Sequence, residues 1–196
     1  MLKGFLVFSA ALLLGCCFMD KDRHHRERTS EFSFKTMAAI HDNSLRRLFD
    51  PPFRTLKAAG LKPGDQVLEV GCGPGYFTVA AGQLVGDDGR IHAIDIDPQA
   101  VEVTSKKVKD SGLSNVEVRI ADAADTGLAD ESIDEILLFS VLPHLPLNTV
   151  LPELARMLKD GGIIAVRGIK AMSLAQGGFF TFVGRKRSVY LFKKAH

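Results

Sequence analysis

Three glycines and two later aspartates are the residues of this chain whose types and spacing point to chemistry. Gly71, Gly73 and Gly75 follow the apolar stretch QVLEV and precede an amphipathic run, so a strand, a turn and a helix succeed one another. Glycine is needed where a side chain would hold the backbone away from a ligand or forbid its turn. Asp95 lies at the end of the next apolar stretch and Asp122 follows the one after it, where carboxylates can accept hydrogen bonds from a sugar or a base. The pattern predicts a cradle for a nucleotide-type cofactor.

The glycine spacing distinguishes this turn from the dinucleotide fingerprint. A dinucleotide-binding turn follows G-x-G-x-x-G, whereas this chain has G-x-G-x-G, with Tyr76 at the position of the third glycine. Glu69, two residues before Gly71, is a second departure from that fingerprint. Its carboxyl group either orients the turn by hydrogen bonding or contacts the ligand, and both interpretations stay open. These two departures disfavour an NAD(P)-dependent oxidoreductase built on the same kind of sheet, which stays as the less favoured alternative.

The elements that must position these residues alternate between strand and helix patterns. Amphipathic runs separate five apolar strand patterns, at residues 66–70, 91–96, 116–120, 135–139 and 163–166. Such alternation predicts a parallel sheet that is covered on both faces. A glycine-rich turn is expected at 159–162, and two short strands at 179–183 and 188–192 surround a basic turn at 184–187. The predicted fold is α/β, Rossmann-like and doubly wound, with a mostly parallel seven-stranded sheet and an antiparallel C-terminal hairpin at one edge.

The chain divides into three regions. Residues 1–30 contain an apolar segment, 4–19, and the charged linker that follows it. Residues 31–60 carry apolar positions three and four apart, which predicts N-terminal helices that cap the cofactor site. Residues 61–196 contain the whole alternating pattern and form the predicted cofactor-binding domain.

The apolar segment 4–19 has four interpretations. It is a cleaved signal peptide, a lipoprotein signal, an uncleaved membrane anchor, or a translation-start artefact upstream of Met19. More basic residues follow the segment than precede it, and the positive-inside rule then favours a cytoplasmic catalytic domain. We therefore predict a cytoplasmic domain, which the segment attaches to a membrane if it is an anchor.

Composition limits the kinds of ligand and partner. The chain has 25 Lys and Arg against 23 Asp and Glu, and its basic residues are scattered, so it shows no nucleic-acid signature. Cys16 and Cys17 are adjacent and Cys72 stands alone, which gives neither a disulfide framework nor a zinc spacing. The six histidines are dispersed, and no metal is predicted. Cys72 has no evident base partner, so we interpret it as a small side chain in a tight loop.

Four motifs in order, VLEVGCGPG, AIDIDP, ADAAD and ELARMLKDGG, resemble those of the class I S-adenosylmethionine-dependent methyltransferases. The resemblance covers roughly residues 61–166, and the terminal hairpin would supply the family's sixth and seventh strands. Within the family the chain looks most like the small-molecule methyltransferases of ubiquinone and menaquinone biosynthesis. The resemblance implies S-adenosylmethionine as methyl donor and a small-molecule acceptor. A noncatalytic protein that keeps the fold at a membrane is an alternative.

The resemblance also implies roles for individual residues. The backbone of Gly71, Cys72 and Gly73 would contact the methionine part of the cofactor, and Gly75 would let the chain turn into its helix. The other implied contacts are Asp95 with the ribose, Ile96, Asp122 and Ala123 with adenine, and Phe139 or Ser140 with the methionine end. His144, after the fourth strand, is the candidate base for an acceptor that must lose a proton, although a surface or packing role suits it equally.

Overall fold

The computed structural model describes residues 51–195, so the predicted N-terminal segment and linker, 1–30, and most of 31–60 lie outside the described residues. The elements in chain order are α1 Pro52–Ala59, β1 Gln66–Val70, α2 Thr78–Val85, β2 Arg90–Asp95, α3 Pro98–Asp110, β3 Val116–Ile120, β4 Ile133–Phe139, α4 Leu147–Met157, β5 Leu158–Arg167, β6 Phe180–Lys186 and β7 Val189–Lys194. Two 3-10 helices, Leu142–His144 and Ala171–Gly177, follow β4 and β5. None of the helices within 51–195 has the length and apolar character needed to cross a membrane.

The strands form one seven-stranded sheet in the order β3-β2-β1-β4-β5-β7-β6. Neighbouring strands pair in parallel across the sheet through β3, β2, β1, β4 and β5, and β7 pairs antiparallel with both β5 and β6. This confirms the predicted mostly parallel sheet with a C-terminal hairpin at one edge. The strand order reverses between β1 and β4, and the carboxyl ends of strands at such a switch point form the crevice in which open α/β sheets bind ligands.

Each face of the sheet is covered by its own hydrophobic cluster. One cluster packs α1 and α2 against the sheet, and the other packs α4 and the second 3-10 helix against the opposite face. Strand β4 contributes side chains to both clusters. Ile136 and Leu138 contribute to one cluster, while Leu137 and Phe139 contribute to the other. Because both faces are buried, β4 is a continuous apolar run instead of an alternating one.

Two predicted turns lie within strands instead. The glycine-rich residues 159–162 belong to β5, which begins at Leu158 directly after α4, and the pairing of β4 with β5 shifts register across them. Most of the basic segment 184–187 belongs to β6, which extends to Lys186, and the pairing of β6 with β7 is irregular just before it. Glycine in a strand accompanies bulges as well as turns, and the sequence pattern alone does not separate the two.

Candidate functional site

The glycine turn follows β1 at the switch point of the sheet. Gly71, Gly73 and Gly75 have φ values of 71°, 53° and 74°, in the left-handed region that other residues rarely adopt. A Cβ atom added at Gly71 would lie 2.6 Å from Val141 Cγ2, and one at Gly75 would lie 2.9 Å from Thr104 Oγ1. At Gly73 an added Cβ would meet nothing within 4 Å. Gly73 therefore faces open space, where a ligand can approach the backbone closely.

Hydrogen bonds hold the amide groups of this turn inside the chain. The Gly71 and Cys72 amides donate to the Ile94 carbonyl oxygen at 2.8 and 3.1 Å. The Gly73 amide donates to Asp95 Oδ2 at 2.9 Å. These bonds join the turn to the end of β2. Because the three amides already have partners within the chain, the open face at Gly73 is the part of the turn that a ligand can approach.

Asp95 ends β2 directly beside the turn. Its Oδ2 accepts from the Gly73 amide, and its Oδ1 accepts from the Asp97 amide at 3.0 Å. Each carboxylate oxygen can accept a further hydrogen bond, so this half-buried group can also accept hydrogen bonds from two hydroxyl groups of a ligand. The Ile96 side chain next to it is 74% exposed and offers an apolar surface to a flat ring. Asp97 caps α3 by accepting from the Gln99 amide at 2.9 Å.

A buried carboxyl group, Glu69, lies near the end of β1 beneath the turn. Its side chain is in the protein interior, and its Oε2 accepts a hydrogen bond from Thr78 Oγ1 at 2.6 Å. Burial raises the pKa of Glu69 to about 7, the hydrogen bond from Thr78 opposes that shift, and the negative charge of Asp95 adds to it. Thr78 is the first residue of α2, so the pair joins strand and helix across the turn. This bond supports the orienting role of Glu69. Sequence reasoning missed Thr78, since nothing local marks its partner.

Helix α3 holds the other side of the turn, which sequence reasoning also missed. Thr104 Oγ1 donates to the Gly73 carbonyl oxygen at 2.7 Å, and Lys107 Nζ donates to the Pro74 carbonyl oxygen at 2.7 Å. The three-residue spacing of Thr104 and Lys107, which places both on one helix face, was the sequence signal that could have indicated these contacts.

Burial, together with the nearby carboxyl groups, raises the pKa of the Cys72 thiol above its ordinary value. That state suits a small packing side chain and not a nucleophile.

Asp122 and Ala123 lie in the loop after β3. Asp122 is exposed, and its Oδ1 accepts from the Ala124 amide at 2.9 Å, which shapes the loop. The Ala123 side chain is buried in the hydrophobic core, so only its backbone is available to a ligand. The two residues thus offer a carboxylate and main-chain groups to a ligand at this end of the sheet.

Helix α4 anchors the same loop through two charged residues. Glu153 Oε1 accepts from the Thr126 amide and hydroxyl at 3.0 and 2.8 Å. Arg156 donates from Nε to Glu153 Oε2 at 2.8 Å and from Nη2 to the Leu128 carbonyl oxygen at 2.7 Å. The hydrogen bond from Arg156 lowers the pKa of Glu153 to about 2. The ELARM segment therefore fixes the loop that carries the predicted adenine contacts.

The residues at and after the end of β4 lie on the side of the glycine turn opposite Asp95. The Phe139 ring is buried and packs edge-on against Phe77, with centroids 4.8 Å apart, so it supports α2. Ser140, the alternative to Phe139, is exposed and has a left-handed φ of 63°. Its amide donates to the carbonyl oxygen of Arg167, whose guanidinium lies 5.9 Å from the Phe77 ring centroid. His144 is exposed in the 3-10 helix that follows.

The predicted residues thus lie at one end of the sheet, at the ends of four neighbouring parallel strands. Those with polar or backbone groups open to a ligand are Gly73, Asp95, Asp122 and Ser140, whereas the side chains of Glu69, Cys72, Ala123 and Phe139 are buried supports. Within residues 51–195 no three His, Cys, Asp or Glu side chains are grouped so that they could hold a metal ion. A carboxylate beside an exposed apolar side chain and an open glycine face suits an adenosine-bearing cofactor.

Comparison with known proteins identifies the class. The methyltransferase domain family matches residues 61–177, more than half of the chain, and the chain belongs to that family. A solved structure of a SAM-dependent methyltransferase from Aquifex aeolicus has a TM-score of 0.70 and 25% identity, and the match covers 81% of this chain and 97% of that one. Family and fold together place the chain in the class I S-adenosylmethionine-dependent methyltransferase family, as the motifs predicted. The nicotinamide-dependent alternative and the noncatalytic membrane alternative have no support.

Two curated relatives show the kinds of enzyme to which the chain is similar. A demethylmenaquinone methyltransferase of Alkalihalophilus pseudofirmus is 32% identical over 109 residues, which are 55% of this chain and 46% of that protein. A nocamycin O-methyltransferase of Saccharothrix syringae is 32% identical over 139 residues, which are 69% of this chain and 49% of that protein. The chain spans about half the length of these relatives.

Proposed function

We propose that the protein transfers a methyl group from S-adenosylmethionine to a small-molecule acceptor by in-line displacement. The observation that carries the proposal is the position of Asp95. Its carboxylate accepts a hydrogen bond from the Gly73 amide beside the switch point, and it lies next to the exposed Ile96. Bound S-adenosylmethionine supplies a methyl group that is already reactive because it is attached to a sulfonium. The chain therefore has to bind and orient both substrates and exclude water.

Each open group at the site has a task in this proposal. The Asp95 carboxylate accepts the ribose hydroxyls, and Ile96 packs on the adenine ring. Asp122 and the backbone of Ala123 address the adenine edge. The methionine part lies along the turn at Gly71, Cys72 and Gly73 and reaches Ser140 and the Phe139 backbone, while Glu69 and Gly75 keep the turn in shape.

Binding of S-adenosylmethionine to the full chain, measured by isothermal calorimetry, tests the donor half of the proposal. Asp95→Asn keeps the size of the side chain but replaces one accepting oxygen with a donor, so affinity should fall about ten- to a hundredfold. Asp97→Asn is the matched control. It makes the same change in charge, and asparagine caps a helix as well as aspartate does, so affinity should hold. Absence of binding to the unaltered protein would overturn the proposal, and equal affinity in Asp95→Asn would remove the ribose role.

The acceptor is proposed to be a small molecule because the relatives described above are named for demethylmenaquinone and nocamycin methylation. A screen of metabolite extract with labelled S-adenosylmethionine would identify it. The sequence supports a cytoplasmic catalytic domain that associates with a membrane if segment 4–19 is an anchor. Segment 4–19 lies outside the described residues, so its deletion followed by cell fractionation is the test.

His144 is proposed as the base for an acceptor that must lose a proton. It is exposed in the 3-10 helix directly after β4, at the end of the sheet that carries the cofactor site. Once an acceptor is known, His144→Gln should lower kcat about a hundredfold and abolish the acid limb of the pH–rate profile. Normal turnover in that variant would return His144 to a surface role.

A further inference from the structure

The sheet topology brings a basic segment of the chain to the end of the sheet that carries the glycine turn. Residues 161–196 contain seven of the 25 basic residues of the chain and none of its 23 acidic ones. Val189, at the start of β7, pairs both with Arg167, the last residue of β5, and with Lys186, the last residue of β6. The tip of the β6–β7 hairpin therefore lies at the end of the sheet that carries the glycine turn, on the side of β5.

Four basic residues form what we call the cationic rim: Lys170 after β5, and Arg185, Lys186 and Arg187 at the hairpin tip. All four are exposed, and none forms an ion pair with an acidic side chain of the described residues. Arg185 is held in place, since its guanidinium lies 5.0 Å from the Tyr190 ring centroid and its Nε donates to the Arg187 carbonyl oxygen at 2.9 Å. Within residues 51–195 the rim is therefore a positive surface with which no acidic side chain pairs.

Two residues of the cationic rim have an unfavourable backbone conformation. Lys170 and Arg187 have φ values of 61° and 54°, where glycine fits without strain and other residues do not. Only four non-glycine residues within 51–195 have positive φ. A third, Ser140, lies at the same end of the sheet, and the fourth, Glu131, precedes β4 at the opposite end. Such conformations cluster at functional sites, and here they keep a basic side chain where glycine would be more stable.

Two exposed apolar side chains flank Lys170. Ile169 is 72% exposed and Met172 is 47% exposed, and both follow the end of β5. Large apolar side chains this exposed, next to unpaired cations, suit a ligand with an apolar part and a negative part.

We propose that the methyl acceptor carries an anionic group, a phosphate or a carboxylate, joined to an apolar body. The cationic rim binds the anion, and Ile169 and Met172 contact the apolar body. Guanidinium and ammonium groups bind phosphate and carboxylate by charge-assisted hydrogen bonds, which a neutral or cationic acceptor would not use. This inference rests on the proposed function, because it takes the ends of β4 and β5 as the acceptor side.

The test uses three soluble probes below their micelle concentrations: n-decyl phosphate, decanol and decyltrimethylammonium. Calorimetry on the full chain with S-adenosylhomocysteine present should show decyl phosphate binding at least about tenfold more tightly than the other two. Lys170→Gly and Arg187→Gly should each weaken decyl phosphate binding about two- to fivefold, as expected for an exposed charge, without lowering Tm. Lys186→Ala removes a charge from extended backbone and should show the same loss. Glu131→Gly is the matched control, because it relieves the same backbone conformation away from the site and should leave binding unchanged.

The outcomes separate this inference from the proposed function. If S-adenosylmethionine binds but decyl phosphate binds no better than decanol, the inference is wrong and the proposed function stands. If S-adenosylmethionine fails to bind, the proposed function itself fails. Cosedimentation with phosphatidylglycerol vesicles that depends on the cationic rim, without binding of soluble decyl phosphate, would identify a lipid surface as the source of the anion and overturn the acceptor site.

Discussion

Replacing Gly73 with alanine should separate cofactor binding from folding. At φ 53° an alanine costs about 1–2 kcal/mol, and because the added Cβ meets nothing within 4 Å, no packing penalty adds to it. A protein of this size loses about 2–4 °C in Tm per kcal/mol, so Tm should fall by about 2–8 °C. The same Cβ enters the open face where the cofactor is proposed to lie. Such overpacking costs about 1–3 kcal/mol, which corresponds to a rise in Kd of roughly five- to 150-fold.

Two other glycines give the matched comparisons. Gly112 has φ 66° and also has nothing within 4 Å of an added Cβ, but it follows α3 at the opposite end of the sheet. Gly112→Ala should lower Tm by the same amount and leave affinity unchanged. Gly71→Ala adds a contact of 2.6 Å with Val141 Cγ2, so its Tm should fall further than that of Gly73→Ala.

Thermal denaturation without ligand and calorimetric titration with S-adenosylmethionine measure the two effects separately. The reasoning is refuted if Gly73→Ala binds S-adenosylmethionine as tightly as the unaltered protein while Gly112→Ala shows the expected fall in Tm. That result would mean that the open face at Gly73 is not the cofactor face. A fall in affinity for Gly112→Ala as large as that for Gly73→Ala would show that lost stability, and not the added Cβ, weakens binding.

Stability should fall as the pH rises from about 5 to about 8. Burial raises the pKa of Glu135 to about 8 and that of Glu69 to about 7, above the ordinary value of 4.5. Between 4.5 and these raised values the folded state holds protons that the unfolded state releases, so stability falls across that interval and levels off above it. Thermal melts at several pH values should show this decline in stability, and Glu135→Gln should make it smaller. The substitution should not change S-adenosylmethionine affinity, since Glu135 lies near the amino end of β4. A decline of the same size in Glu135→Gln would show that Glu135 is not its source. Arg156→Ala should cost about 1–2 kcal/mol and weaken S-adenosylmethionine binding several-fold, because the loop after β3 loses its anchor. Lys106→Ala, which removes an exposed pair within one helix, should do neither, and equal effects of the two substitutions would refute the anchoring role.

Local rules account for most of the fold. The alternation of strand and helix patterns and the glycine spacing depend on residues within a few positions of one another, and the structure confirms the elements that they predict. The glycines at 159–162 and 184 show where local rules end. A glycine pair between an apolar helix and an apolar strand suits a turn and a bulge equally well, and only pairing with a neighbouring strand decides between them.

The supports of the cofactor site required tertiary contacts that no sequence pattern contains. The bond between Glu69 and Thr78 spans the glycine turn, and the bonds from α3 to the carbonyl groups of the turn join positions more than thirty residues apart. The sequence identified Glu69 as unusual and left its role undecided. Its hydrogen bond to Thr78, directly beneath the turn, is the observation that favours orientation of the turn over contact with the ligand.

The proposed donor side and the proposed acceptor side differ in how far the sequence can describe them. The donor side consists of main chain and a few side chains at the ends of consecutive elements, so its motifs are readable in order along the chain. The acceptor side is assembled by the pairing of β7 with β5, which brings the basic hairpin tip beside the end of β5. A net charge of +2 conceals this arrangement, because charge averaged over the chain carries no information about which strand end a basic turn adjoins. Had β6 and β7 paired in the opposite sense, the same residues would lie at the amino end of the sheet, away from the proposed acceptor side.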